Sequence, residues 1–101
     1  MKEARTLPHS VEAERVVISA AVNYPDVRGE LMAEVQPEHF HQKEHRAIWV
    51  IVVELVNTGE PVELTAIAEY AASRGYLEDI GGVEGLVEVT EFATVTRGLF
   101  H

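Results

Sequence analysis

Apolar residues recur at helical spacing in five segments of the chain, and Gly, Pro and Asn separate these segments. The first segment predicts a helix from about Val11 to Val22, with Ser10 as its N-cap and an end at Asn23-Tyr24-Pro25. One face of this helix carries the apolar residues that we expect to meet the core, namely Ala13, Val17, Ala20 and Ala21.

The second segment predicts a short helix from Val27 to about Val35 that ends before Pro37. We expect Asp26 to cap this helix, and we expect Gly29 to weaken it. Its apolar positions are predicted to be buried, and they are Val27, Leu31 and Val35.

The third segment, from about Lys43 to Asn57, contains the run AIWVIVVELV, whose β-branched residues would also suit a buried strand. Its length and its i, i+3, i+4 spacing favour a helix, which we expect to be the central core helix with Trp49 buried. The positions that follow this spacing are Ile48, Ile51, Val52, Leu55 and Val56.

Two further helices are predicted in the second half of the chain. One starts at Glu63, covers about Leu64 to Arg74 with Ile67 and Tyr70 facing inward, and is closed by Gly75. The other runs from about Val83 to Glu91 after a turn at Gly81-Gly82, and residues 92–101 show no clear period. The pattern therefore predicts one all-α domain, a small bundle of about five to six helices.

The net charge of the chain limits the classes of partner that it can bind. The chain has 101 residues, with 8 Lys and Arg against 17 Asp and Glu, which gives a net charge of −9. Such a charge repels phosphate polyanions, so we expect no direct contact with nucleic acid. Most of the excess falls in residues 51–101, which contain 2 basic and 9 acidic residues, so a basic protein partner could use that face.

Several classes of protein are excluded by residues that are missing. The absence of Cys excludes disulfides and thiolate chemistry, and no apolar stretch approaches the roughly 20 residues of a membrane span. We therefore expect a cytoplasmic protein without a membrane contact. The only lysines are Lys2 and Lys43, and no GxxxxGK loop can be built around either, so no ATP or Mg²⁺ site is expected in this segment.

One metal motif does occur. His41, Glu44 and His45 match HxxEH, in which two histidines one helical turn apart bind zinc beside a catalytic Glu. A hydrolytic site also needs a third ligand and a cleft, so we interpret this stretch as a solvated junction between a loop and a helix. The paired acids, Glu12 with Glu14 and Glu84 with Glu88, are likewise interpreted as solvated surface residues rather than an acid and base pair.

The start LPHSVEAE resembles the N-terminal domain of DnaB-type replicative DNA helicases. The resemblance continues in order over about residues 7–91, through PEHF, HRAI, the GEPV turn, RGYL and IGG. The matching framework residues are Leu7, Pro8, His9, Ser10, Glu12, Ala13, Glu14, Pro37, Phe40, His45, Arg46, Pro61, Gly75, Leu77, Gly81 and Gly82.

The resemblance implies a domain organisation and a function. Residues 1–9 would be an N-terminal arm, residues 10–91 a globular helical head, and residues 92–101 the start of a segment leading to a helical hairpin. The domain would be non-catalytic and would assist assembly of the hexameric ring and docking of primase or a helicase loader. ATP and Mg²⁺ would belong to a separate motor domain of the full-length helicase.

The chain departs from that family pattern after Glu91, because only traces of the usual small-residue segment remain and the two hairpin helices are missing. It is therefore either a fragment covering the head or a shortened, free-standing relative that acts as an adaptor. Without the hairpin we expect a monomer or weak dimer. Two alternatives are the helicase-binding domain of a primase, which resembles this fold, and a small zinc hydrolase using His41, Glu44 and His45.

Overall fold

The structure is a computed structural model that describes residues 10–96, and the side chains of residues 10–91. Within that range the chain forms five α-helices, one 3-10 helix and no strand, which confirms the all-α prediction. None of these helices is long and apolar enough to span a bilayer. Their bounds are α1 Val11–Asn23, α2 Pro25–Glu34, the 3-10 helix Pro37–His39, α3 Lys43–Asn57, α4 Leu64–Ser73 and α5 Gly82–Thr96.

Helix α1 begins where the sequence predicts. Ser10 is extended, and its Oγ accepts a hydrogen bond from the Ala13 amide at 3.0 Å, which satisfies one of the amides exposed at a helix start. The predicted apolar face packs inward, with Val17 and Ala21 buried. This helix lies along α5 and also contacts α2 and α3, so it is the element that joins the two ends of the described chain.

Helix α2 differs from its prediction. It begins at Pro25, whose fixed φ and missing amide proton suit the first helical position, and Tyr24 occupies the N-cap. Asp26 therefore lies inside the first turn and is not the cap. Val27 and Leu31 are only partly buried, and Val35 reaches the core because the chain turns there into the extended C-cap conformation.

Helix α3 is the central helix of the core, as predicted, and the strand alternative for this segment is wrong. Trp49 is fully buried, its ring lies 5.3 Å from that of Phe40, and its Nε1 donates a 3.0 Å hydrogen bond to the Val35 carbonyl. Val56 is the exception to the predicted face, since 36% of it is exposed. The remaining predicted positions are buried, and they are Ile48, Ile51, Val52 and Leu55.

The last two helices contact each other, and α4 also packs against α3. Helix α4 ends at Ser73, Gly75 adopts a φ of 77°, and the Tyr76 amide then bonds the Ala71 carbonyl at 2.7 Å. Ile67 is buried as predicted, whereas Tyr70 is only partly covered. Helix α5 continues to Thr96 and so passes the predicted end at Glu91, because adding residues to a formed helix costs little even where they are β-branched.

The end of α1 is tied to α5 by one side chain. Asn23 Nδ2 donates to the Ser19 carbonyl at 2.9 Å and, across the helix interface, to the Thr90 carbonyl at 2.7 Å. We expect Asn23→Ala to lower the free energy of unfolding by about 1 kcal/mol, the usual net value of such hydrogen bonds. Urea denaturation followed by circular dichroism measures this. Asn57→Ala is the matched control, because Asn57 also ends a helix but its side chain forms no hydrogen bond to another described residue; equal losses for the two variants would contradict the expectation.

Candidate functional site

A buried carboxylate joins α1 to the residues that precede α3. The Glu14 side chain is fully buried, and its oxygens accept hydrogen bonds from the backbone amides of His41 at 2.6 Å and Gln42 at 3.3 Å. One of its oxygens also lies 2.6 Å from Nδ1 of His45, which is itself 5% exposed. Three groups from one segment therefore converge on one carboxylate of another helix.

Local geometry explains this contact. Glu14 lies in the first turn of α1, on the same face as Val17 and Ile18, so the packing of that face brings the carboxylate into the interior. The amides that it binds precede the first turn of α3, where backbone N–H groups lack partners within the helix and favour negative charge. Glu14 thus supplies the acceptors for the start of α3.

These contacts change the acidity of the carboxyl group. Burial by itself raises the pKa of Glu14, since it disfavours the charged form. The hydrogen bonds from the His41 amide, the His45 ring and the Gln42 amide outweigh burial, so the pKa of Glu14 lies below its ordinary value of 4.5. Glu14 is therefore a carboxylate at neutral pH.

The lowered pKa predicts a dependence of stability on acid. Because the folded state lowers the pKa of Glu14, its contribution is complete above pH 4.5 and is lost as the pH falls through the lower, folded-state pKa. We expect the stability difference between the wild type and Glu14→Gln to shrink as the pH is lowered below 4.5. Thermal denaturation of both proteins in a pH series measures it, and a difference that stays constant down to unfolding would contradict the assignment.

The contact corrects two interpretations of the sequence. Glu14 is not solvated, in contrast to the exposed Glu12, and the junction before α3 is not fully solvated because His45 is buried in it. Glu14 lies three and four residues before Val17 and Ile18, so it shares their helix face. That spacing, together with the presence of Glu14 and His45 among the matching framework residues, is the signal that could have found the contact.

The HxxEH residues do not assemble as a metal site. His45 turns inward to Glu14, whereas His41 is exposed and Glu44 is partly exposed. The nearby His39 accepts a 2.9 Å hydrogen bond from the Gln36 amide through Nδ1. Within the part of the chain that the structure describes, no three His, Asp or Glu side chains are grouped so that they could hold a metal ion.

A second feature is an open groove between α3 and α4, which we name the α3–α4 groove. It has a volume of about 480 Å³ and continues along the loop that follows α4. Val50 and Tyr76 are prominent in it, with 49% and 47% of their surfaces exposed. The residues that line the groove are Lys43, Ala47, Val50, Ile51, Tyr70, Arg74, Tyr76 and Asp79.

Comparison with known proteins assigns the chain to a protein family. Residues 6–99 match the family described as the DnaB-like helicase N terminal domain, and this match covers most of the chain. The chain belongs to the DnaB-like helicase N-terminal domain family. The structure agrees with this family, because it superposes with a TM-score of 0.77 on the N-terminal domain of DnaB helicase from Mycobacterium tuberculosis, at 24% identity over 84% of this chain and 59% of that one.

Full-length relatives extend well beyond the matched region. The chain is 32% identical over 87 residues to the replicative DNA helicase DnaB of Geobacillus stearothermophilus, and 28% identical over 85 residues to the replicative DNA helicase DnaC of Bacillus subtilis. These alignments cover 86% and 84% of this chain but 19% of each relative. The chain therefore spans about a fifth of the length of the curated relatives it matches.

The DnaB-type framework residues that the structure describes gather mainly at the buried contact and at turns. Phe40 is buried beside Trp49, and Arg46 Nη1 donates to the carbonyls of Phe40 at 2.8 Å and His41 at 3.2 Å. Leu7, Pro8 and His9 lie outside the described residues. The others lie at the start of α1, in the 3-10 helix, before α4 and between the end of α4 and the first residue of α5, and they are Ser10, Glu12, Ala13, Pro37, Pro61, Gly75, Leu77, Gly81 and Gly82.

Proposed function

We propose that the chain is a non-catalytic protein-interaction domain of a replicative DNA helicase. In this role it assists assembly of the helicase ring and docks primase or a helicase loader. The observation that carries the proposal is the family match over residues 6–99, and the relatives named as replicative DNA helicases support it. Because these names refer to helicases, we favour this role over that of a helicase-binding domain of a primase.

The motor activity of such a helicase would reside in another domain. The matched relatives are about five times as long as this chain, which leaves ample sequence for an ATP- and Mg²⁺-dependent motor. The chain contains no GxxxxGK loop that could hold the phosphates of ATP. We therefore propose that ATP and Mg²⁺ act only in the full-length protein, in the cytoplasm, with the rest of the replication machinery.

The surface chemistry of the domain suits protein contacts better than DNA contacts. A protein that grips DNA neutralises phosphates with Lys and Arg, and this chain has 8 such residues against 17 acidic ones. The open α3–α4 groove instead combines apolar and charged side chains, as protein interfaces do. These features support binding to other helicase subunits, primase or a loader, without direct binding to nucleic acid or membrane.

Sedimentation velocity tests the proposal. The fluorescently labelled chain is mixed in turn with the primase, the helicase loader and the replicative helicase of the same organism. We expect the labelled chain alone to sediment as a monomer or weak dimer, and to move into a faster complex with at least one of the three proteins. Failure to form a complex with any of them, or ATP hydrolysis by the homogeneous chain, would overturn the proposal.

A further inference from the structure

The α3–α4 groove has an apolar floor that the described part of the chain leaves open. Val50 and Ile51 of α3 and Tyr70 of α4 line it, and Tyr76 extends it beyond the end of α4. Half of Val50 and nearly half of Tyr76 are exposed, although most other large apolar side chains of these elements are covered. A concave surface of this kind can receive one or two large apolar side chains from another molecule.

Two basic side chains give the groove a charge opposite to that of the whole domain. Lys43 and Arg74 line it, in a chain whose net charge is −9. Neither lies within ion-pair distance of an acidic side chain among the described residues, where the contact of this kind is that of His45 with Glu14. By contrast, Arg28 and Arg46 are used internally, since each donates hydrogen bonds to backbone carbonyls.

Arg74 is held in position for an external partner. Its guanidinium carbon lies 3.8 Å from the centroid of the Tyr70 ring, and Nη1 donates to the Ser73 hydroxyl at 3.2 Å. A guanidinium that stacks on an aromatic ring loses less conformational freedom when it binds a carboxylate than a free side chain would. It therefore presents its remaining donors at the edge of the groove.

The surface on the other side of Tyr70 and Arg74 is acidic. A second depression there, with a volume of about 440 Å³, is lined by Glu54, Glu60 and Glu69 as well as by these two residues. An acidic partner is repelled from that depression and attracted to the side of Lys43 and Arg74, so charge alone directs it into the groove. Asp79, which also lines the groove, opposes this attraction in part.

We propose that the α3–α4 groove binds an acidic, amphipathic segment of a partner protein. Apolar side chains of that segment contact Val50 and Tyr76, and its carboxylates pair with Lys43 and Arg74. The inference deepens the proposed function and rests on it, because it assigns a surface and a partner chemistry to an interaction domain. The groove should prefer acidic segments, so a basic segment with the same apolar residues should bind to it more weakly.

Two synthetic peptides test the charge preference. Both are amphipathic helix formers with the same Leu and Phe positions, and the flanking positions are Glu in one peptide and Lys in the other. Fluorescence anisotropy against the full 101-residue chain should show at least about tenfold tighter binding of the Glu peptide, weakening as salt is added. Equal or tighter binding of the Lys peptide, or no binding of either, would overturn the proposal.

Substitutions locate the binding. Val50→Glu should weaken binding of the Glu peptide at least about tenfold, because it places a charge on the floor and repels the peptide. Val83→Glu is the matched control, since Val83 is 48% exposed and lies outside the groove. Circular dichroism confirms that both variants fold. Equal effects of the two variants would overturn the assignment of the surface.

Charge reversal separates attraction from simple apolar contact. The double variant Lys43→Glu, Arg74→Glu should reverse the preference, so that the Lys peptide binds more tightly than the Glu peptide. An unchanged preference for the Glu peptide would overturn the proposal. The proposal would also be overturned if the chain formed a dimer through this groove, which would be seen as a dimer that Val50→Glu dissociates. The peptide assay contains no replication protein, so it tests the groove separately from the helicase role. If the peptides fail to bind as expected but the chain still forms complexes in sedimentation, only the groove assignment is rejected. If the peptides bind as expected but no complex forms in sedimentation, only the helicase role is rejected.

Discussion

Replacing Glu14 with Ala should lower the free energy of unfolding by about 3–5 kcal/mol, because it removes the buried partner of three polar groups and each group left unsatisfied costs about 1–3 kcal/mol. The substitution leaves the partly buried amides of His41 and Gln42 and the buried ring of His45 without the carboxylate that they contact. For a domain of this size the loss corresponds to a decrease in melting temperature of roughly 12 °C or more. Differential scanning calorimetry measures it.

Glu12→Ala is the control for this variant. Glu12 lies two residues earlier in the same first turn but is exposed, so its loss removes only a favourable charge at the helix start. We expect that to cost less than about 1 kcal/mol. Similar melting temperatures for Glu14→Ala and Glu12→Ala would show that the buried contact does not stabilise the domain.

Trp49→Ala should have an effect of similar size, about 3–5 kcal/mol, because it leaves a large cavity at the centre of the core. Trp49 is fully buried and packs on Phe40, and its indole nitrogen donates to the Val35 carbonyl. Trp49→Phe keeps most of the packing and removes that hydrogen bond, so we expect a smaller loss of about 1–3 kcal/mol. Urea denaturation of both variants measures the two contributions.

Val50→Ala is the matched control for the tryptophan variants, since Val50 is the next residue of α3 but is half exposed. The free energy of unfolding of Val50→Ala should differ from that of the wild type by less than about 1 kcal/mol. A Trp49→Ala variant that is as stable as Val50→Ala would contradict the position of α3 at the centre of the bundle.

The helices could be predicted from the sequence where local signals were strong. Ser10 is an effective cap because its hydroxyl accepts from an amide three residues later, and Gly75 marks the end of α4 because it readily adopts a positive φ. The start of α2 was harder to predict, since Pro25 both ends one helix and begins the next. The extension of α5 beyond Glu91 gave no local signal, because its residues have a low helix propensity.

The site was less predictable than the fold because it depends on contacts between distant segments. Glu14 and His45 are 31 positions apart, and each looks like an ordinary polar residue of a helix. Only the packing of α1 against α3 brings them together. The α3–α4 groove depends in the same way on two helices and a loop. The charge pattern of the sequence points to the acidic half of the chain and gives no local signal for Lys43 and Arg74.

A competition experiment tests most directly the claim that this chain is an interaction domain of the replication machinery. An excess of the chain is added to a primer synthesis assay that contains the replicative helicase and primase of the same organism. We predict inhibition when primase depends on the helicase, no inhibition of primase acting alone, and no effect of an equal excess of an unrelated acidic protein. Full helicase-dependent primer synthesis in a large excess of the folded chain would contradict the claim.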